Sequence, residues 1–141
     1  FKDSPYASAT SIKDFSDAKI TAQLNTFHYT VIDQIDGVNK QTAMDSFPTM
    51  IVALTSGKID GYISERPGAI SAMESNPDLT FVEFAEGEGF EASPEDVAIA
   101  VALKKGNEDI SAINEIINGI TKEERQEIMD AAIGNQPLAG E

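Results

Sequence analysis

The sequence predicts an α/β fold, a layered and mostly parallel sheet with flanking helices. Two observations carry this. Between residues 19 and 84, short extended stretches alternate with amphipathic helical ones, the chain order that builds a parallel sheet covered by helices. The first two helical stretches also stop at glycines, Gly37 and Gly57, where the chain can turn back toward the next strand.

Taken in order, residues 19–24 (Lys-Ile-Thr-Ala-Gln-Leu) put Ile20, Ala22 and Leu24 on one face of a first strand. Asn25 and Thr26 are cap-type residues, and Phe27, Val31, Ile32 and Ile35 follow at helical spacing. A short extended piece at 41–44 precedes Asp45 or Ser46 as the next cap, with Pro48 inside the first turn. Phe47, Met50, Ile51 and Leu54 then make an apolar stripe, as in a surface helix packed on a sheet. Residues 59–64 read as a strand, 67–75 as a helix and 79–84 as another strand. The stretch 87–95 is rich in Gly, Glu, Ser and Pro, which is loop chemistry. Residues 97–103 are continuously apolar and read as a strand covered on both faces or as a segment crossing between two lobes. Two helices close the chain. One carries Ile110, Ile113, Ile117 and Ile120 in a stripe, and the other carries Ile128, Met129, Ala132 and Ile133 after a Thr121 cap paired with Glu124.

The 141 residues suffice for one ordinary domain, and 41% apolar content suffices for a core. Ten basic residues against 24 acidic ones give a net charge of −14, spread along the chain, so nucleic acid and anionic lipid are poor partners. Cysteine is absent, which excludes disulfides, zinc-thiolate sites and thiol nucleophiles. No apolar run approaches the ~20 residues that span a bilayer, and the start at Phe1 suggests a processed or partial chain.

With a single histidine, His28, few nucleophile-and-base arrangements can be built, and no spacing of carboxylates suggests a metal. No catalytic residue, metal or cofactor is expected. The segment Leu24-Asn25-Thr26 is more informative, because a strand end followed by a helix start turns unpaired N–H groups toward the carboxyl edge of the sheet, where open α/β sheets bind ligands. Ser64 and Glu65 end a later strand in the same layer, so Glu65 can approach that edge from the side. A carboxylate opposite N–H groups suits a zwitterion with an α-carboxylate and an α-ammonium. Each residue also has a plainer reading: Asn25 or Thr26 as a simple cap, Glu65 as a surface partner of Arg66.

The run Ile20-Thr-Ala-Gln-Leu-Asn-Thr26, the helix ending Leu54-Thr-Ser-Gly-Lys-Ile-Asp60 and the strand end Ser64-Glu65-Arg66-Pro67 resemble bacterial extracellular solute-binding proteins for polar amino acids, family 3, which feed ABC importers. Val97-Ala-Ile-Ala-Val-Ala-Leu-Lys-Lys-Gly106 and the helices after it are similar to the C-terminal part of that family. The resemblance implies one lobe of a two-lobed, type II periplasmic-binding-protein-like clamshell. Residues 1–9 would be the incoming hinge segment, 10–93 the second lobe, 94–106 the return crossing strand and 107–141 helices that dock on a first lobe. It further implies that Thr26 and neighbouring N–H groups take the ligand carboxylate and that Glu65 takes its α-amino group. Gln23 and Ser64 stand where the ligand side chain is often contacted, and Asn25 and Phe27 complete the candidate set. The family usually has glycine where Asn25 stands, so a positive φ there would rely on the tolerance of asparagine for the left-handed conformation.

The first lobe, which in the family supplies a carboxylate-binding arginine and aromatic packing, is not in this sequence, so a fragment with half a site is expected. Its partners would be a free polar amino acid and an ABC transporter permease, and its place extracellular, at the cell surface by a lipid anchor, or periplasmic. Self-association through residues 97–133 is also expected, because their apolar stripes would lack a cover. The alternatives are a ligand-sensing ectodomain of a receptor or kinase with the same fold, and a dehydratase related to it. The latter needs cationic groups around its substrate, for which only Arg66 and Arg125 are present as arginines.

Overall fold

The computed structural model describes residues 1–135, so residues 136–141 of the expected C-terminal helical segment lie outside the described residues. It divides into two compact units, Phe1–Asp96 and a second beginning at Val97.

The first unit is a small α/β domain built on a three-stranded parallel sheet in the order β2-β1-β3. The strands are β1 (Lys19–Ala22), β2 (Asn39–Lys40) and β3 (Gly61–Ile63), and β1 pairs with both neighbours. Its helices are α1 (Phe27–Thr30), continued by a 3-10 turn over Val31–Gln34, then α2 (Phe47–Thr55), α3 (Arg66–Ser75) and the single turn α4 (Pro94–Val97), which straddles the boundary. Ala18, Ile20, Ala22 and Ile32 form one core cluster, and Ala53, Leu54, Ile59 and Leu79 form a second. Thr21, the central residue between the two clusters, is fully buried and its hydroxyl donates to the Thr42 carbonyl at 2.8 Å. The central strand is thus covered on both faces, with its one buried polar side chain satisfied.

Several elements differ from the sequence reading. The first helix is a four-residue turn that tightens into a 3-10 turn, because Thr30, Val31 and Ile32 are consecutive β-branched residues with poor helix propensity. Residues 79–84 form no strand. They share with β3 the walls of an apolar cleft of about 560 Å³, and no backbone hydrogen bond links the two among the described residues. A strand is defined by its partner, and here the partner edge is out of reach.

In the second unit residues 98–103 also form no strand, and Ile99 is 99% exposed, so the covered strand expected from their continuous apolarity is absent. The helices are α5 (Ile110–Gly119) and α6 (Lys122–Gly134), and α6 starts with the expected capping box between Thr121 and Glu124. The two Thr121 bonds to Glu124 hold that carboxyl below the usual range, the backbone N–H contributing most. Ile110, Ile116, Ile128 and Met129 are exposed, and Ile133 is buried. Among the described residues no helix is long and apolar enough to cross a membrane.

The burial pattern sets the expected energetics. Ile32→Ala, which empties a site with no solvent exposure, is expected to cost about 2–5 kcal/mol. Val52→Ala on the outer face of α2, where Val52 is 65% exposed, is expected to stay within about 0.5 kcal/mol, with both values read by urea denaturation.

Candidate functional site

In a parallel sheet all strands end at the same edge, and the register decides which loops emerge side by side. Ala22 stands opposite Ile63, so the chain leaving β1 at Gln23 runs beside the chain leaving β3 at Ser64. Gln23 bridges to Met44, and the Leu24 N–H donates to the Met44 carbonyl at 2.7 Å. The chain then leaves the sheet abruptly, because Asn25 adopts a φ of 60°. Asparagine tolerates this left-handed conformation where a β-branched residue would not. Leu24, expected on the buried face, is consequently half exposed.

Thr26 caps α1 by backbone geometry only. Its hydroxyl does not accept from the helix but donates to the Gln23 carbonyl at 2.7 Å, closing the loop on itself. The other expected polar side chains are engaged in a similar way. Gln23 donates through Nε2 to the Asp45 carbonyl at 3.2 Å, and the Ser64 hydroxyl donates to the Glu65 carbonyl at 3.1 Å. Phe27 packs edge-on to His28, with ring centroids 6.3 Å apart, and lines a shallow depression with Gln34 and Glu91. What this edge leaves for a ligand is therefore the N–H groups of Thr26, Phe27 and His28, which have no acceptor among the described hydrogen bonds.

Glu65 approaches this turn through the side chain of His28. Its Oε2 lies 4.0 Å from His28 Nε2, a contact that is an ion pair only when the imidazole is protonated. The simple pairing of Glu65 with Arg66 does not occur, since Arg66 is paired with Glu83. Glu65 precedes α3 but makes no side-chain cap bond to it, so its carboxylate retains acceptor capacity. The side chain folds over Gly68, where a Cβ would stand 3.0 Å from Oε1 and 3.5 Å from the Phe47 ring. Phe47 in turn meets Tyr62 edge-on at 6.3 Å. Burial, and then the nearby charge of Glu65, raise the Tyr62 hydroxyl above its ordinary pKa.

The fold thus brings Gln23, Asn25, Thr26, Ser64 and Glu65 to one edge and adds His28, Phe47, Tyr62 and Gly68, which sequence reasoning did not place there. The strand register was the missing signal. The apolar cleft beside β3 contains Ser64 but none of the other five candidates, so it is a separate feature. Among the described residues no group of His, Asp and Glu is arranged to hold a metal ion.

Compared with protein-family models, with curated proteins and with solved structures, the chain gives no match.

The Tyr62 environment yields a titration test. A tyrosine whose folded-state pKa is raised favours the folded chain while protonated. That stabilisation is present below about pH 10 and is lost as pH rises through the folded value. Of the three tyrosines, one is expected to ionise late in a phenolate-absorbance titration, and Glu65→Gln is expected to bring it back part of the way. An unchanged titration in Glu65→Gln would place the carboxylate away from Tyr62.

Proposed function

We propose that this chain is one lobe of an extracellular solute-binding protein that takes a polar amino acid and delivers it to an ABC transporter permease. The observation that carries the reading is the placing of the Glu65 carboxylate beside the first turn after Asn25. N–H groups without a described acceptor and a carboxylate that reaches the His28 side chain belong to neighbouring loops at one sheet edge. A free amino acid carries the complementary pair on one carbon: the α-carboxylate accepts from Thr26, Phe27 and His28, and the α-ammonium donates to Glu65. Asn25 supports it, since its left-handed conformation takes the chain off the sheet just before those N–H groups.

On this reading the polar side chains of Gln23, Thr26 and Ser64 hold the loops in place first and meet the ligand second. The chain performs no chemistry, and the clamshell is completed by a first lobe that supplies the remaining contacts. With half the contacts, binding by this chain alone is weak.

Heteronuclear NMR of the full chain, titrated with the common polar amino acids, tests the reading. Small saturable shifts are expected at the amides of residues 26–28 and near Glu65. N-acetylated amino acids, which lack the ammonium, should not produce them. Glu65→Gln should weaken the response by about 1.5–3 kcal/mol, a factor of roughly ten or more, with circular dichroism unchanged. Shifts elsewhere, or shifts unaltered by Glu65→Gln, would overturn the assignment.

A further inference from the structure

From the irregular stretch near the start of the second unit, we infer that Lys104-Lys105 is a proteolytic processing site. A protease with an acidic primary pocket hydrolyses the peptide bond after one of these two lysines. Water adds across that bond, leaving a carboxylate on the lysine and an ammonium on the residue that follows. The inference goes beyond the proposed amino-acid site and does not depend on it. Such a protease needs its basic residue in a run of chain that can lie extended in the enzyme's cleft, so the hydrogen bonding of the local backbone decides which residues it can use. Residues 98–109 contain neither helix nor strand. Among the described hydrogen bonds, residues 98–108 make one between backbone groups, in which the Asn107 N–H donates to the Lys104 carbonyl at 3.0 Å. Lys104, Lys105 and Gly106 are exposed, and a Cβ placed on Gly106 would meet nothing within 4 Å. Among the described ion pairs neither lysine takes part.

The chain has ten basic residues, and the other eight lie where structure holds the backbone. Lys19 and Lys40 are in β1 and β2. Lys122 and Arg125 are in α6, and Arg125 donates to the Ile120 carbonyl at 3.0 Å. Arg66 opens α3, is paired with Glu83 and precedes Pro67. Lys58 donates its N–H to the Ala53 carbonyl at 2.9 Å and precedes the buried Ile59. Lys13 is inside a 3-10 turn capped by Ser11, and the Lys2 N–H donates to the Asp78 carbonyl at 3.0 Å. At most of these positions a strand, a helix or a capped turn has to open before the chain can enter a protease, and at Lys2 and Lys58 a backbone bond to a distant or helical residue has to break. At Lys104-Lys105 only the hydrogen bond of a local turn has to break. The place of the cut sets the products. Residues 1–105 keep the whole first unit, with its sheet and both core clusters, and the remainder carries α5 and α6.

Trace trypsin acting on the folded full chain tests the inference, with the products read over time by intact-mass spectrometry. The first cut is expected after Lys104 or Lys105. Lys104→Gln combined with Lys105→Gln should slow the loss of full-length chain by at least about tenfold, with circular dichroism unchanged. Hydrogen exchange should show the amides of residues 20–22 and 61–63 as well protected in the 1–105 product as in the full chain. A first cut at any of the other eight basic residues, or cutting at many sites at once, would overturn the inference. So would a double variant that is lost as fast as the parent chain, or a 1–105 product that has lost the protection of its sheet.

Discussion

Everything in the first unit depends on β1 being paired along both edges and buried on both faces. A four-residue strand has few hydrogen bonds to give, and β1 gives them in register to β2 and β3 at once. That register places the exits of β1 and β3 next to each other, and so fixes which loops can form a site. Burial on both faces leaves no room for an unsatisfied polar group in the strand. Thr21 is tolerated at its centre because its hydroxyl reaches the Thr42 carbonyl. The same constraint explains the abrupt exit at Asn25. Once the Leu24 N–H has been spent on Met44, a left-handed residue takes the chain off the sheet and into α1.

The edge so formed separates groups that hold structure from groups that remain free. Thr26, Gln23 and Ser64 direct their protons to carbonyls of their own loops or of the neighbouring one. These bonds are local and neutral, each worth about 1 kcal/mol net, and their use is to hold the loops in one shape. Glu65 differs because its near neighbours are His28, an aromatic wall and a glycine, and none of them satisfies a carboxylate by hydrogen bonding in the structure. A charge with spare acceptor capacity beside a turn whose N–H groups have no described acceptor is the arrangement on which the proposed dipolar ligand rests.

How far this was legible in the sequence follows from which interactions are local. Caps and stripes depend on residues a few positions apart, so a cap of α2 at Asp45 or Ser46, of which the structure uses Ser46, its end at Gly57 and the Thr121–Glu124 box were readable directly. The left-handed Asn25 was readable through the resemblance that set it where a glycine usually stands. Pairing is not local. Residues 79–84 and 97–103 have the composition of strands, but a composition cannot report whether an edge is within hydrogen-bonding distance, and neither segment is paired. The approach of His28 to Glu65 was hidden for the same reason, since it depends on the β1–β3 register.

These two unpaired segments bear on how a strongly acidic chain can meet its own copy. A net charge of −14 opposes approach of two copies over most of their surface. Lys104 and Lys105 form a rare basic pair in this sequence, and they directly follow its most exposed apolar run. Repulsion therefore disfavours most encounters, and the one place where this sequence offsets it with adjacent basic residues is directly beside its most exposed apolar run.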